Sequence, residues 1–237
     1  MATLRAAMRP TVLLFDIDGT LMDSGGAGRR AVDRAFERLH GRRDACAAIS
    51  FGGMTDRAIA RAGLAAIGAE PTAAAIDGLL AAYLEVLAEE LVPSRAIVHP
   101  GVEAALDAAH AAGAAVGLGT GNLRDGARLK LSRVGLHDRF AFGGFGSDHE
   151  ARDALLRVGA ERGARALGAS LAACRVVVIG DTPRDVAAAQ AIGAACLAVA
   201  TGPFSSDALA ACAPTHVFRD LAEEGAIAAL LRDEPAR

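Results

Sequence analysis

The segment Thr11–Leu21, TVLLFDIDGTL, constrains the fold of this chain more than any other feature. A run of apolar residues, long enough for a buried parallel strand, comes directly before Asp16 and Asp18, and Gly19 then allows a sharp turn. Alternate residues at a strand end point the same way, so both carboxylates are predicted to lie at the carboxyl end of a sheet strand. Open α/β folds bind ligands at this edge. Two like charges about 5 Å apart repel by roughly 3 kcal/mol at an effective dielectric of about 20, which favours a divalent cation beside them.

Further apolar runs have the length of strands, and helical patterns lie between them. Each run is bounded by glycine or by a turn. This alternation predicts an α/β fold with a Rossmann-like, doubly wound parallel sheet. The runs are Ala114–Leu118, Arg139–Phe142 (the weakest), Arg175–Ile179 and Ala195–Val199.

A long helical insertion is predicted after the first strand. More than 90 residues separate the first two strands, far beyond an ordinary crossover connection. We predict an α-helical cap domain at residues 22–98 and a core built from residues 1–21 and 99–237, joined through Ser24–Gly28 and Pro93–Gly101. Two apolar faces at helical spacing support the cap. They comprise Ala27, Ala31, Ala35, Phe36 and Leu39 on one helix, and Ile76, Leu79, Leu80, Tyr83, Leu84, Leu87 and Leu91 on another.

Composition narrows the class of protein. The 237 residues are 52% hydrophobic, which is ample for a core. The net charge of −3 provides no overall basic field, so neither nucleic acid nor a membrane surface is expected as a partner. The four cysteines share no ligand spacing, which favours reduced thiols in a cytoplasmic protein. The apolar run Val12–Phe15 is too short for a signal peptide or a membrane span.

A second candidate site element follows the predicted strand at Ala114–Leu118. The Thr120 hydroxyl and the Gly121 N–H are placed to bind an anion, with Asn122 beside them and a helix N-terminus adding a favourable field. The alternative is that Asn122 merely caps this helix, with Asp125 as its reciprocal partner. Both readings remain open.

The third element again puts a carboxylate just beyond a buried strand, at Asp181. Pro183 suits the first helical position and Thr182 the N-cap, so Asp185 is the third helical residue and points toward the strand end. Asp185 has a structural alternative as the partner of Thr182 in a capping box. Asp181 has none, and it is predicted to be a cation ligand.

With these three elements in this order, the chain resembles the haloacid dehalogenase superfamily of hydrolases. The resemblance implies a Rossmann-like core, a mobile helical cap and Mg²⁺-dependent chemistry through an aspartyl-phosphate. By position, Asp16 is the nucleophile, Asp18 the general acid/base and Thr120 the phosphate-binding hydroxyl. Asp16 and Asp181 are metal carboxylates, and the Asp18 backbone carbonyl is a further metal ligand. Asp185 holds the metal indirectly or through water.

The residue types suit phosphoryl transfer. Asp16 can ligate Mg²⁺ and attack phosphorus, and Asp18 can deliver a proton to a leaving oxygen. The family's dehalogenases and phosphonatases lack an aspartate at this position. We therefore predict a phosphatase of small phosphorylated metabolites, with phosphoglycolate-like substrates or sugar phosphates as first candidates. A β-phosphoglucomutase-like phosphomutase is the alternative. A non-catalytic binding module, or a nucleotide-cofactor enzyme without G-x-G-x-x-G, is less consistent with the sequence.

The family's basic residue, often Lys before Pro, has no direct match. Position favours Arg152, whose structural alternative is an ordinary charge at a helix start. Lys130 is the rival because it is the only lysine in the chain, although a lysine on a helix face is usually solvated.

The predicted cap domain carries the weakest functional signal in the sequence. The loop around Thr55 resembles one that phosphoglycolate-phosphatase-like members turn toward the site, and Arg29 or Arg30 is a candidate to contact an anionic leaving group. A helix cap at Thr55 and surface arginines are the equal alternative. His99 is interpreted as part of the linker.

Overall fold

The computed structural model describes residues 9–232, and residues 1–8 and 233–237 of the predicted core lie outside this range. The strands of this range are β1 (Thr11–Phe15), β2 (Met22–Asp23), β3 (Ile97–Val98), β4 (Ala115–Thr120), β5 (Phe142–Phe145), β6 (Arg175–Gly180), β7 (Ala195–Val199) and β8 (His216–Phe218). The α-helices are α1 (Ala27–His40), α2 (Asp56–Ala66), α3 (Ala73–Leu91), α4 (Val102–Ala111), α5 (Arg124–Arg133), α6 (Arg152–Ala166), α7 (Pro183–Ala191), α8 (Ser206–Ala210) and α9 (Ala226–Leu231).

Six parallel strands form the central sheet, in the order β5-β4-β1-β6-β7-β8. Side chains of β1 alternate between two apolar layers, as a strand buried on both faces requires. Leu13 and Phe15 pack with residues of α4, α5 and α9, whereas Val12 and Leu14 pack with residues of α6, α7 and α8. The predicted doubly wound α/β fold is therefore confirmed.

The helical insertion follows β2, as the sequence predicts. β2 and β3 pair antiparallel, so the outgoing and returning chains run side by side as a short ribbon. Between them α1, α2 and α3 build a separate apolar core around Phe36, Leu64 and Leu87, each 0% exposed. The division into residues 1–21 with 99–237 and residues 22–98 remains a prediction.

Three details differ from the sequence expectation. β5 begins at Phe142, because residues 137–139 form a 3₁₀ turn instead of a strand. Its Gly144 lies so close to α6 that a Cβ would collide with the Leu155 carbonyl, which explains a strand without an apolar pattern. β8 was not predicted, since three half-buried residues carry no periodic signal. Leu39 is 47% exposed, although it lies on the predicted apolar face of α1.

Two expectations from composition can be compared with the structure. All four cysteines are free, and three of them are buried. Among the helices of residues 9–232, none combines the length and the apolar character that crossing a bilayer requires.

Candidate active site

Neighbouring strand ends bring the predicted elements together. β4 and β6 flank β1 in the sheet, so residues that follow these three strands meet at one edge. They line a cavity of about 530 Å³ between the sheet edge and the helical insertion. Its wall includes Asp16, Asp18, Gly121, Asn122 and Asp181.

A cluster of three buried carboxylates lies at the floor of this cavity, where Asp16 and Asp181 line the wall and Asp185 is fully buried beside them. Ligand oxygens of Asp16, Asp181 and Asp185 all lie within 4.8 Å of one another, and these residues are 5%, 1% and 0% exposed. Burial, Asp185 and Asp16 raise the pKa of Asp181 to about 8. Burial raises the pKa of Asp16 to about 6, against the opposing effect of Arg152. Crowded carboxylate oxygens whose ionised form is disfavoured are a suitable donor set for a hard divalent cation.

Asp185 combines its two predicted roles. Its Oδ2 accepts hydrogen bonds from the Thr182 backbone N–H at 3.0 Å and from the Thr182 hydroxyl at 2.7 Å, which completes the predicted capping box of α7. Its Oδ1 accepts from Arg152 Nε at 2.8 Å. Because both oxygens are already engaged, Asp185 has less capacity for direct metal ligation than Asp181, whose Oδ1 accepts one bond from Thr20 at 2.9 Å.

Arg152 joins the nucleophile candidate to the rest of the cluster. It is the first residue of α6, and its side chain is 8% exposed. Nη2 lies 2.8 Å from Asp16 Oδ2 and also binds Asp185. The two carboxylates outweigh the effect of burial and raise the pKa of Arg152, so the guanidinium remains charged. A buried cation with two carboxylate partners is not an ordinary charge at a helix start.

Lys130 occupies a different place beside Asp18. Its side chain is 5% exposed, and Nζ lies 2.6 Å from Asp18 Oδ2 and 2.6 Å from Asn122 Oδ1. Burial lowers the pKa of Lys130, but Asp18 and Asp56 outweigh that effect and raise it overall. The reading of Lys130 as a solvated lysine on a helix face is therefore wrong. Its position at the seventh residue of an amphipathic helix carried too weak a signal to reveal this.

Asn122 connects the second element to the first. Its Nδ2 donates to Asp18 Oδ2 at 2.9 Å and to Thr120 Oγ1 at 2.8 Å. The N-cap position of α5 is Leu123, and Asn122 makes no cap with Asp125. The alternative of a simple helix cap at Asn122 is thus wrong, because the amide is engaged with the site.

The N-terminus of α5 is capped by Asp56, a residue of the inserted helical domain. The sequence did not indicate Asp56 as part of the site. Asp56 Oδ2 accepts from the Leu123 backbone N–H at 2.7 Å, and the Asp56 N–H donates to the Gly121 carbonyl at 2.9 Å. A Cβ at Gly121 would collide with the Met54 carbonyl. The cap loop is therefore clasped to the loop after β4. Burial raises the pKa of Asp56 to about 6. Only its place beside Thr55 in the quoted cap loop pointed toward it.

Two predicted cap residues do not reach the cavity wall. Thr55 caps α2 by accepting from Ala58 N–H at 3.2 Å, and its hydroxyl donates to the Glu150 carbonyl at 3.1 Å. Arg30 binds Glu90 and the Gly25 carbonyl, each at 2.7 Å. The other cap candidate, Arg29, does lie on the cavity wall, together with Tyr83, which the sequence did not indicate.

His99 also lies on the wall, immediately after β3. Its Nε2 is buried and has no hydrogen-bond partner within residues 9–232. Burial lowers the pKa of His99. His99 therefore lies at the cavity wall and is not only part of the linker. Nothing in its sequence context indicated this.

The comparisons with known proteins agree with this arrangement. Residues 10–193 match the family model of the haloacid dehalogenase-like hydrolases. A hydrolase from Pseudomonas syringae has 22% identity and a TM-score of 0.69, covering 90% of this chain and 95% of its own. CbbY from Rhodobacter sphaeroides, solved in complex with phosphate, has 17% identity and a TM-score of 0.71, covering 93% and 99%. A predicted phosphoglycolate phosphatase from Haemophilus somnus has 17% identity and a TM-score of 0.65, covering 90% and 96%. No curated protein matches the sequence.

Proposed function

This chain belongs to the haloacid dehalogenase-like hydrolases, and from that premise we propose that it is a Mg²⁺-dependent phosphatase of small phosphate monoesters. The observation that carries the proposal is the buried cluster of Asp16, Asp181 and Asp185 on the cavity floor, with Asp18 two residues beyond Asp16. Phosphoglycolate-like compounds and sugar phosphates are the starting candidates for the substrate.

Asp16 acts as the nucleophile. One of its carboxylate oxygens forms a bond to phosphorus while the bond from phosphorus to the ester oxygen breaks, and Asp18 gives its proton to that leaving oxygen. Asp18 then takes a proton from water, whose oxygen attacks the aspartyl-phosphate. This second step releases inorganic phosphate and restores the Asp16 carboxylate.

The residues around Asp16 position this chemistry. Arg152 fixes the Asp16 carboxylate through its contact at 2.8 Å and offsets the charge of the cluster. We assign the phosphate oxygens to the Gly121 N–H on the cavity wall and to the Thr120 hydroxyl at the end of β4. Thr120 is 0% exposed, and its hydroxyl is hydrogen-bonded to Asp16 and to Asn122 Nδ2 in this structure. Asn122 and Lys130 hold the Asp18 side chain through contacts to its Oδ2 at 2.9 Å and 2.6 Å.

Asp16 and Asp181, with the Asp18 backbone carbonyl, would hold Mg²⁺, and Asp185 would support them through Arg152 and the capping box of α7. Bound Mg²⁺ neutralises negative charge on the transferring phosphoryl group. The crowding and the raised pKa values of Asp16 and Asp181 support this use, since a cation offsets the repulsion that burial strengthens.

The proposal is tested by phosphate release from a panel of small phosphate monoesters. We expect release that depends on Mg²⁺, stops on chelation and returns when Mg²⁺ is added back. Persistent turnover in excess EDTA after dialysis would show that the carboxylate cluster is not a metal site. A protein that hydrolyses none of the esters with Mg²⁺ would contradict the phosphatase assignment.

The phosphomutase alternative is separated by incubating β-glucose 1-phosphate with the protein, Mg²⁺ and a trace of the corresponding bisphosphate. A phosphatase lets Asp18 activate water promptly, a contribution of roughly 10²–10⁴-fold for general acid/base catalysis. We expect free phosphate to accumulate faster than glucose 6-phosphate. Rapid formation of glucose 6-phosphate with little free phosphate would overturn the assignment.

A further inference from the structure

We propose that the cap selects substrates whose leaving group is uncharged and carries a hydroxyl, and that Asp56 disfavours leaving groups that carry a carboxylate. This inference rests on the proposed phosphatase function. It concerns the part of the cavity that lies beyond the phosphate and faces the cap.

Among the described cap residues on the cavity wall, no positively charged side chain is free to bind a carboxylate on the leaving group. Among the described cap residues on the cavity wall, Arg29 is the only arginine or lysine. Its Nη1 donates to the Ile49 carbonyl at 2.9 Å and its Nη2 to the Cys46 carbonyl, and the guanidinium lies 4.3 Å from the centre of the Phe51 ring. Its Nε faces Asp33 at 3.5 Å. Every nitrogen of Arg29 is therefore engaged within the cap.

The lysine and the arginine of the core wall are committed as well, and burial lowers the pKa of His99, which disfavours a charged imidazole there. Lys130 binds Asp18 and Asn122, and Arg152 binds Asp16 and Asp185. A substrate carboxylate would have to take one of these buried cations from its present carboxylate partner. Losing a partner from a buried pair is costly, because the remaining charge is left uncompensated.

The cap wall instead presents a carboxylate of its own. Asp56 lies on the cavity wall, its Oδ2 accepts from the Leu123 N–H, and no other group of residues 9–232 donates a hydrogen bond to this carboxylate. A hydroxyl can donate to Oδ1, and a leaving-group carboxylate has no hydrogen to donate and repels it. Asp56 thus distinguishes the two kinds of leaving group by hydrogen bonding and by charge.

The rest of the cap wall suits an uncharged group of several carbons. Val32, Met54 and Ile59 provide apolar surface, and the ring of Tyr83 lies beside them. A separate small cavity of about 10 Å³ shares Ile59 and Tyr83 with this wall and reaches Leu79 and Leu80. The cavity of about 530 Å³ has room for a phosphate and such a leaving group together.

Matched esters test the proposal directly. Glycerol 1-phosphate and 3-phosphoglycerate differ only in a CH₂OH or a carboxylate at the end remote from phosphorus, and 2-hydroxyethyl phosphate and phosphoglycolate form a shorter pair of the same kind. We expect kcat/KM for each alcohol to exceed that of its acid by about 10-fold or more. Equal or faster hydrolysis of the acids would overturn the proposal.

The variant Asp56→Asn tests whether Asp56 is responsible for the discrimination between alcohol and acid leaving groups. The amide oxygen can still accept from the Leu123 N–H, so the change removes the charge while the clasp between cap and core is retained. We expect the ratio of alcohol to acid to fall to about 1 to 3, mainly through faster hydrolysis of the acid. The matched control is Asp77→Asn. Asp77 is an exposed cap residue that pairs with Arg57, so this change should leave the ratio unchanged. An unchanged ratio in Asp56→Asn would remove Asp56 from the proposal.

The assay separates this inference from the function beneath it. Release of phosphate from p-nitrophenyl phosphate but from none of the four esters would overturn the leaving-group proposal alone. No release from any of the five compounds with Mg²⁺ would overturn the phosphatase function itself.

Discussion

The charged residues on the floor of the cavity and those of its ceiling, the helical cap, lie in opposite environments. On the floor, Arg152 and Lys130 are buried and each contacts the aspartates beside the reaction centre. In the cap, three arginines of α1 pair at the surface with glutamates of α3; Arg38 and Glu85, for example, are 57% and 62% exposed. In the proposed mechanism the floor holds the charges that take part in the reaction, whereas the cap shapes the space above them.

This difference follows from solvation. Exposed ion pairs contribute about 0–1 kcal/mol, because water already solvates both partners. Removing one partner of a buried pair costs about 3–5 kcal/mol, because the other charge is left without compensation in a poorly solvated site. Substitutions on the floor should therefore have large effects, and substitutions of the outer cap arginines should have small ones.

The largest effect is expected for Asp16→Asn. The amide is nearly isosteric but cannot form the acyl-phosphate, so turnover should fall by at least about 10³-fold. Phosphate release and thermal unfolding are measured on the same preparation, with Asp77→Asn as the matched control. Substantial turnover in a folded, uncontaminated Asp16→Asn preparation would contradict the covalent mechanism.

The two buried cations come next. Arg152→Met should lower kcat by about 10²–10⁴-fold, because Asp16 loses the contact that orients it. Lys130→Met should have a smaller effect, of about 10-fold, because Asn122 still donates to Asp18. Steady-state kinetics of both variants give the ranking. A larger loss in Lys130→Met would transfer the principal basic role to the lone lysine.

The metal carboxylates should respond unequally. Asp181→Asn should raise the Mg²⁺ concentration needed for half of maximal activity by about 10–100-fold, and by more than Asp185→Asn does. The reason is that Asp185 already binds Thr182 and Arg152, whereas Asp181 accepts only from Thr20. Mg²⁺ titrations of activity provide the measurement, and equal shifts would mean that Asp185 is also a direct ligand.

Asp56 should give a modest, pH-dependent effect on stability. Burial raises its pKa from 3.8 to about 6, so the folded state disfavours the ionised form. Wild-type protein therefore loses stability at this residue as pH rises from about 4 through about 6, and Asp56→Asn does not. The gap in Tm, variant minus wild type, should widen by about 2–4 °C between pH 5 and pH 8. A gap that narrows with rising pH would contradict the assigned environment of Asp56.

The smallest effect is expected for Arg30→Ala. Arg30 binds Glu90 on the cap and does not lie on the cavity wall, so KM should stay within about twofold and stability should change by less than about 1 kcal/mol. Kinetics and denaturant unfolding test both values. A large rise in KM would return Arg30 to the substrate site and would weaken the contrast between floor and ceiling.

The sequence predicted the parts of the site that follow strands. Asp16, Thr120 and Asp181 each come directly after or at the end of a strand of the central sheet, and parallel strands bring such residues to one edge. The capping box at Thr182 and Asp185 was equally readable, because its residues lie three apart. Arg152 was placed by resemblance and by position, and the structure puts it against Asp16.

The contacts that sequence reasoning missed join residues far apart in the chain. Lys130 meets Asp18 across 112 positions, and Asp56 meets Leu123 across 67. Neither contact has a local pattern, because a lysine in a helix or an aspartate at a helix start is ordinary in isolation. The same reason explains why Arg30 appeared suited to the substrate when it in fact binds Glu90 across the cap.

By itself, the sequence determined the α/β core, the helical insertion and the chemical character of the floor, because strand periodicity and turn residues act over a few positions. Only the tertiary structure decided which charges compensate one another: Lys130 with Asp18, Arg152 with Asp16 and Asp185, and Arg29 with carbonyls of the cap. Compensation depends on burial and on distances of a few ångströms between remote segments, and a linear pattern encodes neither.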